Sequence, residues 1–159
     1  MNSKWNSIDK NSMKNSILLI TGAVITLLFI VLNTLIFEAL YYERQFSDEM
    51  YNQNLYFVVA IVTVIFAWGL AAVFYYVINS VRFSRWWHWL AVLGVACVAA
   101  PVTSFVICNN AFSAEGYNFS AQLFSFCVVD LAVEAVLFVI ASFAMRWWSS
   151  NCRHTPIPE

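Results

Sequence analysis

Charge is scarce in this sequence. Of 159 residues, 8 are lysine or arginine and 9 are aspartate or glutamate, 11% in all. A soluble domain carries about a quarter of its residues as charges, so an ordinary soluble fold is not expected. The few basic residues are scattered, which excludes the basic patch of a nucleic-acid binder. Glycine is equally sparse, with four in the chain, and no glycine-rich loop is available to cradle a phosphate. The four cysteines, Cys97, Cys108, Cys127 and Cys152, form no CxxC pair. Neither histidine, His88 or His154, stands at metal-ligand spacing from a cysteine inside an apolar segment. A clustered zinc site and a paired-cysteine quinone enzyme are therefore not expected. No Ser-His-Asp or Cys-His constellation can be assembled at one depth. The sequence asks for no catalysis, no cofactor and no metal. Internal repeats and low-complexity linkers are missing too, which points to one domain.

What the sequence does have is apolar length. Hydrophobic residues make up 62% of it, and the mean hydropathy is +0.71. Four apolar stretches cover about residues 16–37, 55–80, 86–108 and 121–145. Each reaches the roughly 20 residues that a spanning helix needs at about 1.5 Å per residue. These segments lack the polar face of a soluble amphipathic helix. The expected fold class is all-α: a polytopic membrane protein, an antiparallel four-transmembrane-helix bundle with both termini cytoplasmic. A polar tail (1–15), a transmembrane domain (16–146) and a second short tail (147–159) complete the expected organisation. The first stretch is too long for a signal-peptide core and no small-residue cleavage site follows it, so it is expected to stay as an anchor. A multi-pass protein of the plasma membrane, with a bacterial inner membrane as the default, is the expected location.

The basic residues set the expected orientation. Lys4, Lys10 and Lys14 precede the first stretch, Arg82 and Arg85 join the second to the third, and Arg146 and Arg153 follow the fourth; only Arg44 falls on the other side. Positive charge favours the cytoplasmic side. The opposite loops carry Glu38, Glu43, Asp48, Glu49 and Glu115. Trp86, Trp87, Trp89, Trp147 and Trp148 are expected to form a belt at the cytoplasmic interface, with Tyr41, Tyr42, Tyr51, Tyr56 and Tyr117 near the outer one.

Two acids break the apolar pattern. Asp130 and Glu134 lie four residues apart in the fourth stretch, on one helical face. At membrane depth an ionisable group costs about 2.5–3.5 kcal/mol on insertion scales, and it marks a site by default. No lysine or arginine occurs at matching depth. The acids are expected to hold a proton, to line a wet cavity, or to meet a cation from another chain. In a dry setting at least one is expected to be protonated, with Thr26 or the other acid as hydrogen-bond partner. Pro101 is expected to bend the third helix as a possible hinge, with Thr103 and Ser104 covering the freed carbonyl. Asn33 is expected to reach interfacial water. Ala67 and Ala71, and Ala96, Ala100 and Ser104, have the small-residue spacing of close helix packing. Cys108 and Cys127 differ in expected depth, so both are expected to be free thiols.

Size and topology then favour a non-enzymatic protein acting by intramembrane association with another membrane protein, or with itself, in the lipid bilayer. An accessory subunit or an immunity or exclusion protein fits, with Glu43, Asp48 and Glu49 available to an outer partner. The alternative is an oligomeric channel or an ion- or proton-coupled transporter using Asp130 and Glu134.

Overall fold

The computed structural model describes residues 2–157, and the side chains of residues 13–157. The fold is all-helical, with no strand among the described residues. In chain order come α1 (Asn2–Val31), α2 (Asn33–Leu40), α3 (Arg44–Asn52) and α4 (Leu55–Ala72). α4 runs on into a π-helical turn, Val73–Ile78. After a short 3-10 turn come α5 (Trp86–Ala114) and α6 (Ser120–Met145), the latter ending in a 3-10 turn, Arg146–Trp148. Four of these helical stretches, Met13–Val31, Leu55–Ile78, Trp86–Ala114 and Ser120–Trp148, are long and apolar enough to cross a membrane.

α6 lies at the centre, packed against α1, α4 and α5. Small residues allow that closeness. Ala67 and Ala71 on α4, Ala96, Ala100 and Ser104 on α5, and Ala141 and Ser142 on α6 are all buried. The small-xxx-small spacing is thus used inside the chain, where backbones approach without side-chain obstruction. Gly22 is the tightest such point: a Cβ there would lie 2.8 Å from Cβ of Ala144.

The first apolar run is not one unbroken helix. Leu32 leaves helical geometry (φ −98°, ψ 16°), while Leu32 N still donates to Leu28 O at 2.9 Å and Ile36 N to Leu32 O at 3.0 Å. Asn33 explains the joint. Its Nδ2 donates to Ile30 O at 2.5 Å, and a side chain that bonds its own backbone competes with the helix ladder. Asn33 is buried, so the expected reach to interfacial water is not made.

The loop between the first two apolar runs holds α3, whose Phe46 and Met50 point four residues apart into the protein. Phe46 joins Phe112, Phe119 and Phe126 at centroid separations of 5.8–5.9 Å. Phe126 in turn contacts Phe37 at 5.1 Å and Tyr56 at 6.0 Å. Tilted and edge-on rings at such distances suit the aromatic quadrupole. This cluster ties α3 to α2, α4, α5 and α6.

Residues 149–155 pack against the residues that end α4 and its π-helical turn. Asn79 Oδ1 accepts from Ser149 Oγ at 2.8 Å and from Asn151 N at 3.0 Å, and Asn79 Nδ2 donates to Ser150 Oγ at 2.9 Å. Tyr75 Oη donates to Thr155 O at 3.0 Å. Ser149, Cys152 and Thr155 are buried, so the expected tail is a folded cap. Trp89 also departs from the expected belt: it is buried and donates to Ser142 Oγ at 3.0 Å. Trp86, Trp87 and Trp148 remain exposed.

Candidate functional site: a buried carboxyl pair

α6 turns Asp130 and Glu134 into the interior, and each is 0% exposed. One helical turn separates them, which is why they share a face. Thr63 on α4 meets the first acid: its Oγ1 lies 2.9 Å from Asp130 Oδ1 and 2.8 Å from the carbonyl of Val59. Ser104 on α5 lies beside the same carboxyl, though its buried hydroxyl closes no hydrogen bond of acceptable geometry. Asp130 Oδ2 and both Glu134 oxygens are likewise buried without a hydrogen-bond partner. Three helices therefore converge on a small polar island with three carboxyl oxygens unmet. Cys97 lies within electrostatic reach of Glu134, and Cys108 and Cys127 within reach of Asp130. All four cysteines are free.

Thr26 does not belong to this island. Its Oγ1 donates to Gly22 O at 2.8 Å and accepts from Trp68 Nε1 at 3.0 Å. The expected Thr26–acid bond is absent because Trp68, coming from α4, takes the hydroxyl first. A bond between the two acids is absent too, since neither Glu134 oxygen has a partner.

Pro101 is buried in α5, which stays helical from Trp86 to Ala114. Thr103 Oγ1 donates to Ala99 O at 2.7 Å and Ser104 has no partner. Neither hydroxyl covers the Cys97 carbonyl that the proline leaves without its amide, contrary to expectation. Cys127 Sγ donates to Pro101 O at 3.5 Å. Cys97, Pro101, Phe105, Phe124 and Cys127 line an apolar groove of about 400 Å³.

Of the three acids offered to an outer partner, Glu43 is already engaged. Its carboxylate accepts from Tyr41 Oη at 3.1 Å and from Gln122 Nε2 at 3.2 Å. Burial, reinforced by Glu43, pushes the Tyr41 hydroxyl above its ordinary value. The Glu49 carboxylate beside Tyr117 raises that hydroxyl by its charge and by accepting from it. Asp48 is exposed.

Arg146 is buried, with its guanidinium 4.2 Å from the Trp147 ring centroid and 4.8 Å from that of Phe143. Its Nη1 donates to Ile157 O at 3.4 Å. It is a capping cation at the chain's end, not a partner of the acids. No group of three or more metal-ligating side chains occurs among the described residues. No family model, curated protein or solved structure matches this chain.

Proposed function

We propose that this chain is a small, non-enzymatic integral membrane protein that acts by associating with another membrane protein inside the bilayer. An accessory subunit or an immunity or exclusion protein would work this way. The observation that carries the reading is where polarity lies: both intramembrane acids face inward, while the surface facing lipid is apolar and grooved. The larger groove, about 480 Å³, runs between α1–α2 and α6 and is lined by Phe29, Leu32, Ile36, Val133, Val136 and Ile140. Between helices in lipid, shape and van der Waals fit drive association, so a groove of this kind suits the ridge of a partner helix. The asymmetry of basic residues supports an antiparallel bundle with both termini cytoplasmic, in a plasma membrane such as the bacterial inner membrane. Asp48 then faces the outer side. Photo-crosslinking groups placed at Leu32 and Val136 test the reading in the native membrane. A discrete protein adduct at both positions is expected; adducts with lipid alone overturn it.

The unmet carboxyl oxygens favour a second reading, an oligomeric channel or an ion- or proton-coupled transporter using Asp130 and Glu134. Reconstituted Asp130→Asn/Glu134→Gln protein should then lose pH-dependent flux. Flux unchanged by the double substitution removes this reading.

A further inference from the structure

A hydroxyl has one hydrogen to donate and two lone pairs to accept with. Thr63 Oγ1 has two oxygen neighbours at hydrogen-bond distance, the Val59 carbonyl at 2.8 Å and Asp130 Oδ1 at 2.9 Å. A carbonyl oxygen can only accept. If Thr63 gives its hydrogen to Val59, the contact with Asp130 holds together only when the acid brings the proton. Hydroxyls placed like Thr63 elsewhere in the chain give their hydrogen to the carbonyl one turn back. Thr26 donates to Gly22 O at 2.8 Å, Thr103 to Ala99 O at 2.7 Å and Ser125 to Ala121 O at 3.2 Å, each four residues back. Thr26 even accepts a second bond, from Trp68 Nε1, on the lone pair left over. Thr63 occupies the same geometry, with Asp130 where Trp68 stands for Thr26.

We propose that Asp130 and Glu134 form a proton-binding site, in which Asp130 is a neutral carboxylic acid donating its proton to Thr63 Oγ1. Asp130 Oδ2 is then a carbonyl oxygen, and the idle hydroxyl of Ser104 beside it is the matching donor after a small rotation. Glu134 is neutral for a simpler reason. It is fully buried, both its oxygens lack a donor, and an ionised carboxylate without donors or a counter-cation is the costliest group to bury. Among the described residues, the titratable groups within electrostatic reach of the pair are Cys97 and Cys108 from α5 and Cys127 from α6 itself. α4 brings the hydroxyl of Thr63. On α1, Thr26 is taken by Trp68. Among the described residues, no cation acts on either carboxyl. The ligand is thus a proton on each acid. This protonation is a property of one chain and does not depend on partner binding, so it and the association reading can fail separately.

Infrared spectroscopy of the full chain in nanodiscs, in H2O and D2O at neutral pH, reads this directly. Two carbonyl stretching bands of protonated carboxylic acids are expected, one lost in Asp130→Asn and the other in Glu134→Gln. Thr63→Val should move the Asp130 band to higher frequency by removing its acceptor, and Thr63→Ser should leave it in place. Exchange of sodium for a large organic cation should change neither band. Absence of both bands in the wild-type protein overturns the proposal without recourse to any variant. Loss of the bands on adding sodium also overturns it, and assigns the site to a metal cation instead.

Discussion

Gly22 faces Ala144 at a separation that leaves no room for a methyl group, since a Cβ there would fall 2.8 Å from the alanine Cβ. Both atoms are fixed to helix backbones, so the clash cannot be relieved by a rotamer. Gly22→Ala should destabilise the protein by about 1–3 kcal/mol, the usual cost of overpacking. The exchange Gly22→Ala/Ala144→Gly should recover most of that loss, as thermal unfolding in detergent would show. A double variant no more stable than the single one would mean that α1 does not pack on α6 at this point. The acids themselves were legible in the sequence, because two carboxyls in an apolar run have no ordinary place in lipid. Their partner was not. Thr63 on α4 meets Asp130, and an isolated threonine in an apolar run carries no signal of depth or rotation that would mark it out. Thr26 was at a suitable depth and still failed as a partner, because a neighbouring indole competes for it and depth alone does not show rotation about the helix axis.

Elements that carry no long apolar run were the ones the sequence concealed. α3 reads as a polar loop, since RQFSDEMYN offers two apolar anchors, Phe46 and Met50, among charges. Those two residues are nevertheless fully buried. Phe46→Ala should cost about 3–5 kcal/mol, as large aromatic truncations in packed sites do. It should also loosen α3 enough for trypsin to cut at the exposed Arg44, which gel analysis would detect; persistent resistance to cleavage would show that α3 is held by other contacts. The C-terminal cap was concealed for a different reason: its contacts are hydrogen bonds from Asn79, Ser149 and Asn151, which leave no hydropathy pattern. Asn79→Ala removes the bonds its side chain makes to Ser149, Ser150 and Asn151 and should free the segment. Cys152 reports the change. Burial pushes its thiol up, so in the closed protein the reactive thiolate forms only at higher pH. In Asn79→Ala the thiol should return towards its ordinary range, and its alkylation should begin at lower pH. Site-resolved mass spectrometry of alkylated protein checks both the rate and the direction of the shift. Identical pH profiles would place the cap's stability elsewhere.

At the scale of the whole molecule, the aromatic cluster around Phe46 and Phe126 ties α3 to α6, the Asn79 cap holds Ser149, and the acid pair is fully buried. What remains available to another protein is the apolar flank and one charged end. If the partner reaches that end, Asp48→Lys should weaken the complex in co-purification while leaving the thermal stability of the isolated chain within about 0.5 kcal/mol, as for surface substitutions generally. Glu43→Lys is the contrasting variant: it also removes the acceptor of Tyr41 and Gln122, so stability and partner binding should fall together. Equal binding by the Asp48 variant would move the interface to the helix flanks. The number of apolar runs identified this molecule as a candidate membrane protein from the sequence, since hydropathy accumulates over 20 residues and survives errors at individual positions. Its proposed role turns on whether another membrane protein binds it. Native mass spectrometry of the protein extracted directly into nanodiscs answers that most directly. A stoichiometric complex with a different membrane protein is the predicted result; a closed homo-oligomer, or the chain alone, would contradict it.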